Sequence, residues 1–115
     1  MATISATKSV NKFFNKFEKS AEYEDILAGT MGVYPHLFDE IKMSKDVVFY
    51  EDIITDRSNK KHFLNVFAVK KDGRFYDRVC EVYVEIPDDT KGYVEKAKKS
   101  ILELAAKVDG MGLVK

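Results

Sequence analysis

The chain predicts an α+β domain: an N-terminal amphipathic helix and a short helix, a three-stranded antiparallel meander, and a C-terminal helix, with the helices packed mainly on one sheet face. Three observations carry this expectation. Apolar residues recur at helical spacing before residue 42 and after residue 90, they recur at spacing two between residues 47 and 86, and the polar breaks between the strands are short. The chain has 115 residues, 45% hydrophobic and 33% charged, which suits one domain over residues 1–115 and excludes the profile of a disordered tail.

In residues 9–21, Val10, Phe13, Phe14, Phe17 and Ala21 share one helix face, and Lys8, Lys12, Lys16 and Lys19 lie opposite. Ser5 and Thr7 are the candidate N-caps. Residues 21–27 continue that helix or begin another, until Gly29-Thr30-Met31-Gly32 breaks the pattern with a turn. Pro35 suits a first helical position, and Leu37, Phe38 and Ile41 predict a short helix over residues 36–42.

After Ser44 the period becomes two. Val47, Phe49 and Ile53 oppose Val48, Tyr50 and Ile54, and the polar residues 56–60 then form a hairpin loop. Residues 61–70 make a second strand, Asp72-Gly73 a tight turn, and residues 75–86 a third strand. The final helix spans residues 91–108, beginning near the capping residues Asp88, Asp89 and Thr90 and stopping at Gly110, with residues 111–115 fraying. Val94, Ala97, Ile101, Leu104, Ala105 and Val108 form its buried stripe, and Glu95, Lys99, Glu103 and Lys107 its solvated face.

On the third strand Cys80, Val82, Val84 and Ile86 read as core, in phase with Leu64, Val66 and Ala68. Tyr50, Phe63, Phe67 and Tyr83 then fall on the opposite side, an aromatic face edged by charge. Helix one, through Phe13, Phe14 and Phe17, is one candidate to cover that face, and a protein partner or self-association is the other.

Lys plus Arg and Asp plus Glu each number nineteen, which removes a global attraction to phosphate. The distribution is uneven. Residues 1–20 hold four Lys and one Glu, residues 21–55 two Lys and eight acids, residues 56–79 seven bases and three acids, and residues 80–115 six and seven. Intramolecular neutralisation accounts for this most simply, and a bipolar surface that steers a partner is the alternative.

Cys80 is the single cysteine, so one chain can form neither an internal disulfide nor a cysteine-based zinc site. His36 and Glu40 at spacing four, beside Asp39 and joined by His62, would be needed for a two-histidine, one-carboxylate metal site, yet nothing in the sequence brings His62 there. Asp52 and Glu81 are the corresponding pair for magnesium, and Glu24-Asp25, Glu51-Asp52 and Asp88-Asp89 read as solvation and capping. No catalytic, cofactor or metal requirement emerges. No signal-peptide core or membrane-length apolar run occurs, so a cytoplasmic protein without membrane insertion is expected.

The leading expectation is a small non-enzymatic protein-binding module, an adaptor, inhibitor or assembly component, with the size and motif-poor sequence of virus- or phage-type accessory proteins. The aromatic face or the basic helix would carry the binding. The alternative is a nucleic-acid-binding protein using Lys8, Lys12, Lys16 and Lys19 with Lys60, Lys61, Lys70, Lys71, Arg74 and Arg78. Two resemblances bear on it. Gly29-Thr30-Met31-Gly32 is similar to the glycine-bounded loop with which the KH family clamps a nucleic-acid backbone, in a stretch whose acidity opposes phosphate. The helix, meander, helix order resembles the double-stranded-RNA-binding fold, and Lys96-Ala97-Lys98-Lys99 resembles its phosphate-binding lysines, without that family's Gly-Pro-His loop.

Overall fold

Ser5 sets the start of the chain's first helix. In the computed structural model, which describes residues 5–28, 40–87 and 90–114, its hydroxyl accepts from the Lys8 amide at 3.1 Å and caps helix α1, Ala6–Phe17. The predicted helix over residues 9–21 therefore starts earlier and ends sooner. Ser20 divides it from helix α2, Ala21–Leu27: its hydroxyl donates to the Phe17 carbonyl at 2.6 Å and accepts from the Tyr23 amide at 3.2 Å. Ala21, expected on the apolar face, opens α2 and is exposed.

Four antiparallel strands follow: β1 (Glu40–Lys42), β2 (Val47–Asp56), β3 (Lys61–Asp72) and β4 (Phe75–Glu85), in the order β1-β2-β3-β4. β1 corrects the predicted helix over residues 36–42, because Glu40, Ile41 and Lys42 pair with Tyr50, Phe49 and Val48. Pro35 and residues 29–39 lie outside the described residues. A hairpin joins β1 to β2, where the Ser44 hydroxyl accepts from the amides of Asp46 and Val47.

The β2–β3 loop is built on Asp56, whose carboxylate accepts from the Ser58 amide at 3.0 Å and the Asn59 side chain at 2.9 Å. The β3–β4 turn contains Gly73 at φ +62°, as the Asp-Gly pair predicts. β4 carries a bulge: Ala68 faces Cys80 while Val69 faces Arg78, so Val79 is the additional residue.

Helix α3 (Thr90–Gly110) runs past the expected last residue, Val108, and ends at the expected stop, Gly110; the chain then turns at Gly112, φ +68°. The predicted stripe of α3 is buried, and Tyr93 joins it. Glu95, Lys99, Glu103 and Lys107 are exposed. Leu113 and Val114 pack against the core in a segment expected to fray. The caps expected at Asp88 and Asp89 lie outside the described residues.

One core unites these elements. Val47, Phe49, Leu64, Val66 and Ala68 from the sheet meet Val10 and Phe14 of α1, Ile26 of α2, and Ile101 and Leu104 of α3. α3 packs on β3 and β4, and α1 packs on α3 and β1. Phe14 and Phe17 thus lie in the core, and Phe13 packs against it, so α1 does not cover the opposite sheet face with them. Among the described residues no helix is long and apolar enough to cross a membrane.

Candidate interaction face

Side chains alternate along a strand and directly opposed residues share a face. The β2–β3 register opposes Tyr50 to Phe67 and Ile54 to Phe63, and the β3–β4 register opposes Asn65 to Tyr83 and Phe67 to Glu81. The four aromatic residues expected to form an interface therefore lie together on the face away from the core. Tyr83 is 56% exposed and Ile54 40%; Tyr50, Phe63 and Phe67 are half-buried. Val48, Asn65 and Val69 are buried on this same face.

The contacts run in a chain across the sheet. The Tyr50 and Phe67 rings are 5.9 Å apart and tilted by 30°, and the Arg78 guanidinium stands 3.8 Å from the Phe67 ring centre. Arg78 pairs with Glu81 at 3.0 Å, and the Asn65 amide donates to the Val82 carbonyl at 3.2 Å. The Val79 bulge makes this possible. Without the extra residue, Arg78 would share the core-side phase of Cys80 and Val82; with it, Tyr76 and Arg78 turn outward, and Lys71 stands 5.6 Å from the Tyr76 ring. Strand periodicity alone does not reveal a bulge, which is why Tyr76 and Arg78 escaped the aromatic set.

Charge is mixed along this face. Lys42, Lys71 and Arg78 lie towards the β3–β4 turn, while Glu40 and Glu81 are level with Tyr50 and Phe67, Asp52 with Tyr83, Glu85 with Phe63, and Asp56 with Lys61. Lys61 stands among the acids, 3.9 Å from Glu85. Hydrogen bonding from the Asn59 side chain holds the Asp56 carboxyl below its usual range, so it is ionised at neutral pH.

The ten basic residues proposed for nucleic-acid binding are dispersed. Lys8, Lys12, Lys16 and Lys19 are exposed on or just after α1; Lys60 and Lys61 lie at one end of β3, and Lys70, Lys71, Arg74 and Arg78 at the other. β3 has twelve residues, and a strand of that length separates its ends by about 36 Å. Phe75 and Tyr76, 74% and 64% exposed, accompany the second group. Lys98 bonds Glu18 at 2.8 Å and stands 5.7 Å from the Phe14 ring, so its ammonium ties α3 to α1.

The candidate metal groups are also separated. His36, Asp39 and the Gly29–Gly32 loop lie outside the described residues, Glu40 is on β1, and His62 contacts Thr55 through Nδ1 at 3.0 Å. Glu81 is engaged by Arg78. Among the described residues no group of three His, Cys, Asp or Glu side chains converges. Cys80 is half-buried on the core side. Open concavities at the α1–α2 corner and beside Ser44 and Leu113 are lined respectively by Phe13, Lys16 and Glu22, and by Asp46 and Lys70.

No protein-family model, curated protein or solved structure matches this chain.

Proposed function

We propose that this protein is a small non-enzymatic binding module whose outer sheet face recognises protein. The supporting observation is the gathering of Tyr50, Ile54, Phe63, Phe67 and Tyr83 on the face opposite the helix-covered core, with Ile54 and Tyr83 exposed. Aromatic area with an adjoining stacked arginine is the composition that supplies anchors at protein interfaces. Mixed charge around it provides orientation rather than the single sign that nucleic acid demands.

The test compares capture by the native chain and by an Ile54→Lys, Tyr83→Lys double variant from nuclease-treated lysate. Both substitutions are at exposed positions, so the fold should persist. A stoichiometric protein retained by the native chain and lost by the double variant is the expected result. Equal retention by both assigns binding to another surface.

A second reading has its own observation: Phe75 and Tyr76 are exposed beside Lys70, Lys71, Arg74 and Arg78. Exposed rings stack on bases while cations meet phosphates, so single-stranded nucleic acid is the matching ligand. Its affinity would fall log-linearly with salt, and a Phe75→Ala, Tyr76→Ala variant would lose it. Binding that ignores salt and both rings rules this reading out.

A further inference from the structure

We infer that the β3–β4 turn, with the end of the sheet around it, docks on an anionic phospholipid surface. This end is separate from the surface proposed for protein, because Tyr76 and Tyr83 stand about 20 Å apart along β4. Residues 72–78 are all exposed, so the tip of the hairpin is bare on both of its sides. Adjacent strand residues project to opposite sides. Tyr76 opposes Lys71 on the outer side, with the Lys71 ammonium 5.6 Å from its ring centre, and Phe75 opposes Asp72 and projects to the other side. The two residues are 64% and 74% exposed. A nucleic-acid strand laid along one side of the hairpin would stack on one ring and leave the other in water. A lipid interface surrounds the tip and takes up both.

The surroundings of the tip agree. Val47 pairs with Lys70, and the Lys71 amide donates to the Asp46 carbonyl at 2.7 Å, so the β1–β2 hairpin sits at the same end of the sheet. Gly112 and Leu113 border a concavity with Ser44, Lys45 and Lys70, which brings the end of α3 and its neighbour Met111, 52% exposed, to this end as well. Among the described residues, three of the five exposed large apolar side chains, Phe75, Tyr76 and Met111, thus gather here. Residues 42–46 and 70–78 together hold six bases and three acids, an excess of three positive charges that Asp46, Asp72 and Asp77 reduce without cancelling. Such an excess is drawn to the negative headgroup layer, and lysine stems let the ammonium groups stay among the headgroups while the rings sit at the acyl boundary. Two rings and a small charge excess give reversible, salt-sensitive attachment to the surface, not a span.

The chain contains no tryptophan, so Phe75→Trp and Tyr76→Trp, made separately in the full chain, each give a single fluorescent reporter on one side of the hairpin. With vesicles of phosphatidylcholine containing about 30% phosphatidylserine, both reporters should shift to shorter wavelength and both should be quenched by brominated acyl chains. Co-sedimentation of the native chain with these vesicles should weaken about tenfold on pure phosphatidylcholine or in about 0.5 M salt, and a Phe75→Ala, Tyr76→Ala variant should lose about tenfold on the mixed vesicles. The substituted side chains are exposed, and circular dichroism checks that each variant is folded. No binding to the mixed vesicles overturns the inference, as does equal binding to pure phosphatidylcholine or undiminished binding by the double alanine variant. A response from one reporter alone overturns it too, because a ligand on one side of the hairpin then suffices. If the reporters respond to single-stranded oligothymidine and not to vesicles, the hairpin belongs to the nucleic-acid reading and the membrane inference fails.

Discussion

Asp109, near the end of α3, clasps Thr7 in the first turn of α1. Its Oδ2 accepts from the Thr7 hydroxyl at 2.8 Å and from the Thr7 amide at 3.1 Å, while Oδ1 accepts from the Ala6 amide at 2.7 Å. One carboxylate thus satisfies two amides that the helix leaves without an intrahelical partner and sits where the α1 dipole is positive. Asp109→Ala should cost about 1–2 kcal/mol of folding stability, measured by urea unfolding at neutral pH.

The same contact has a pH signature. Burial of Asp109 pushes its pKa up, but hydrogen bonds from Ala6 and Thr7 outweigh that effect and hold it below the ordinary carboxylate value. A folded pKa below the unfolded one means that the contribution is present above the unfolded value, about 3.9, and disappears as pH falls through the folded value. The stability gap between native protein and Asp109→Ala should therefore be full at pH 6 and narrow below about pH 4. A gap unchanged down to pH 2 contradicts the assignment.

Most elements were legible because their signals are local. The period of two in β2, the Asp-Gly turn before β4 and the apolar stripe of α3 each follow from spacing over a few residues. β1 was hidden because three residues are too few to establish a period, and Ile41 also fits helical spacing with Leu37 and Phe38. The contact between Asp109 and Thr7 joins residues 102 positions apart, so neither neighbourhood announces it. The aromatic face followed from strand alternation, but Arg78 joined it through a bulge that alternation does not encode.

Phe14 is fully buried, with its ring centre 5.2 Å from Phe13 and 6.2 Å from Phe17. Truncation would lose the transfer energy of the ring and leave a void where α1 meets the core. Phe14→Ala should destabilise by about 3–5 kcal/mol, lowering the denaturation midpoint without a comparable change in slope. A loss below 1 kcal/mol would show that α1 does not depend on this packing.

Gly73 provides a test of backbone geometry alone. A Cβ there would meet nothing within 4 Å, so its φ of +62° is the source of any penalty. Gly73→Ala should cost about 1 kcal/mol, and Gly73→Asn less because asparagine tolerates left-handed geometry. Equal stability of all three proteins would contradict a strained turn.

Tyr93 predicts the behaviour of the fold at the alkaline limit. The residue is 1% exposed, and burial, reinforced by the negative charge of Glu51, raises the phenol well above its ordinary pKa. Here the folded value exceeds the unfolded one, so the stabilisation is complete below about pH 10 and is lost as pH rises above it. Unfolding releases the proton, and alkali therefore favours the unfolded chain. In an ultraviolet titration, native protein and Tyr93→Phe should ionise the same number of tyrosines before unfolding, with one further phenolate appearing only when the native protein unfolds. Tyr93→Phe should also retain more of its neutral-pH stability above pH 10, because its unfolded state lacks that proton to release. A Tyr93 that ionises in the intact fold would place its hydroxyl in contact with solvent and remove the basis for this alkaline destabilisation.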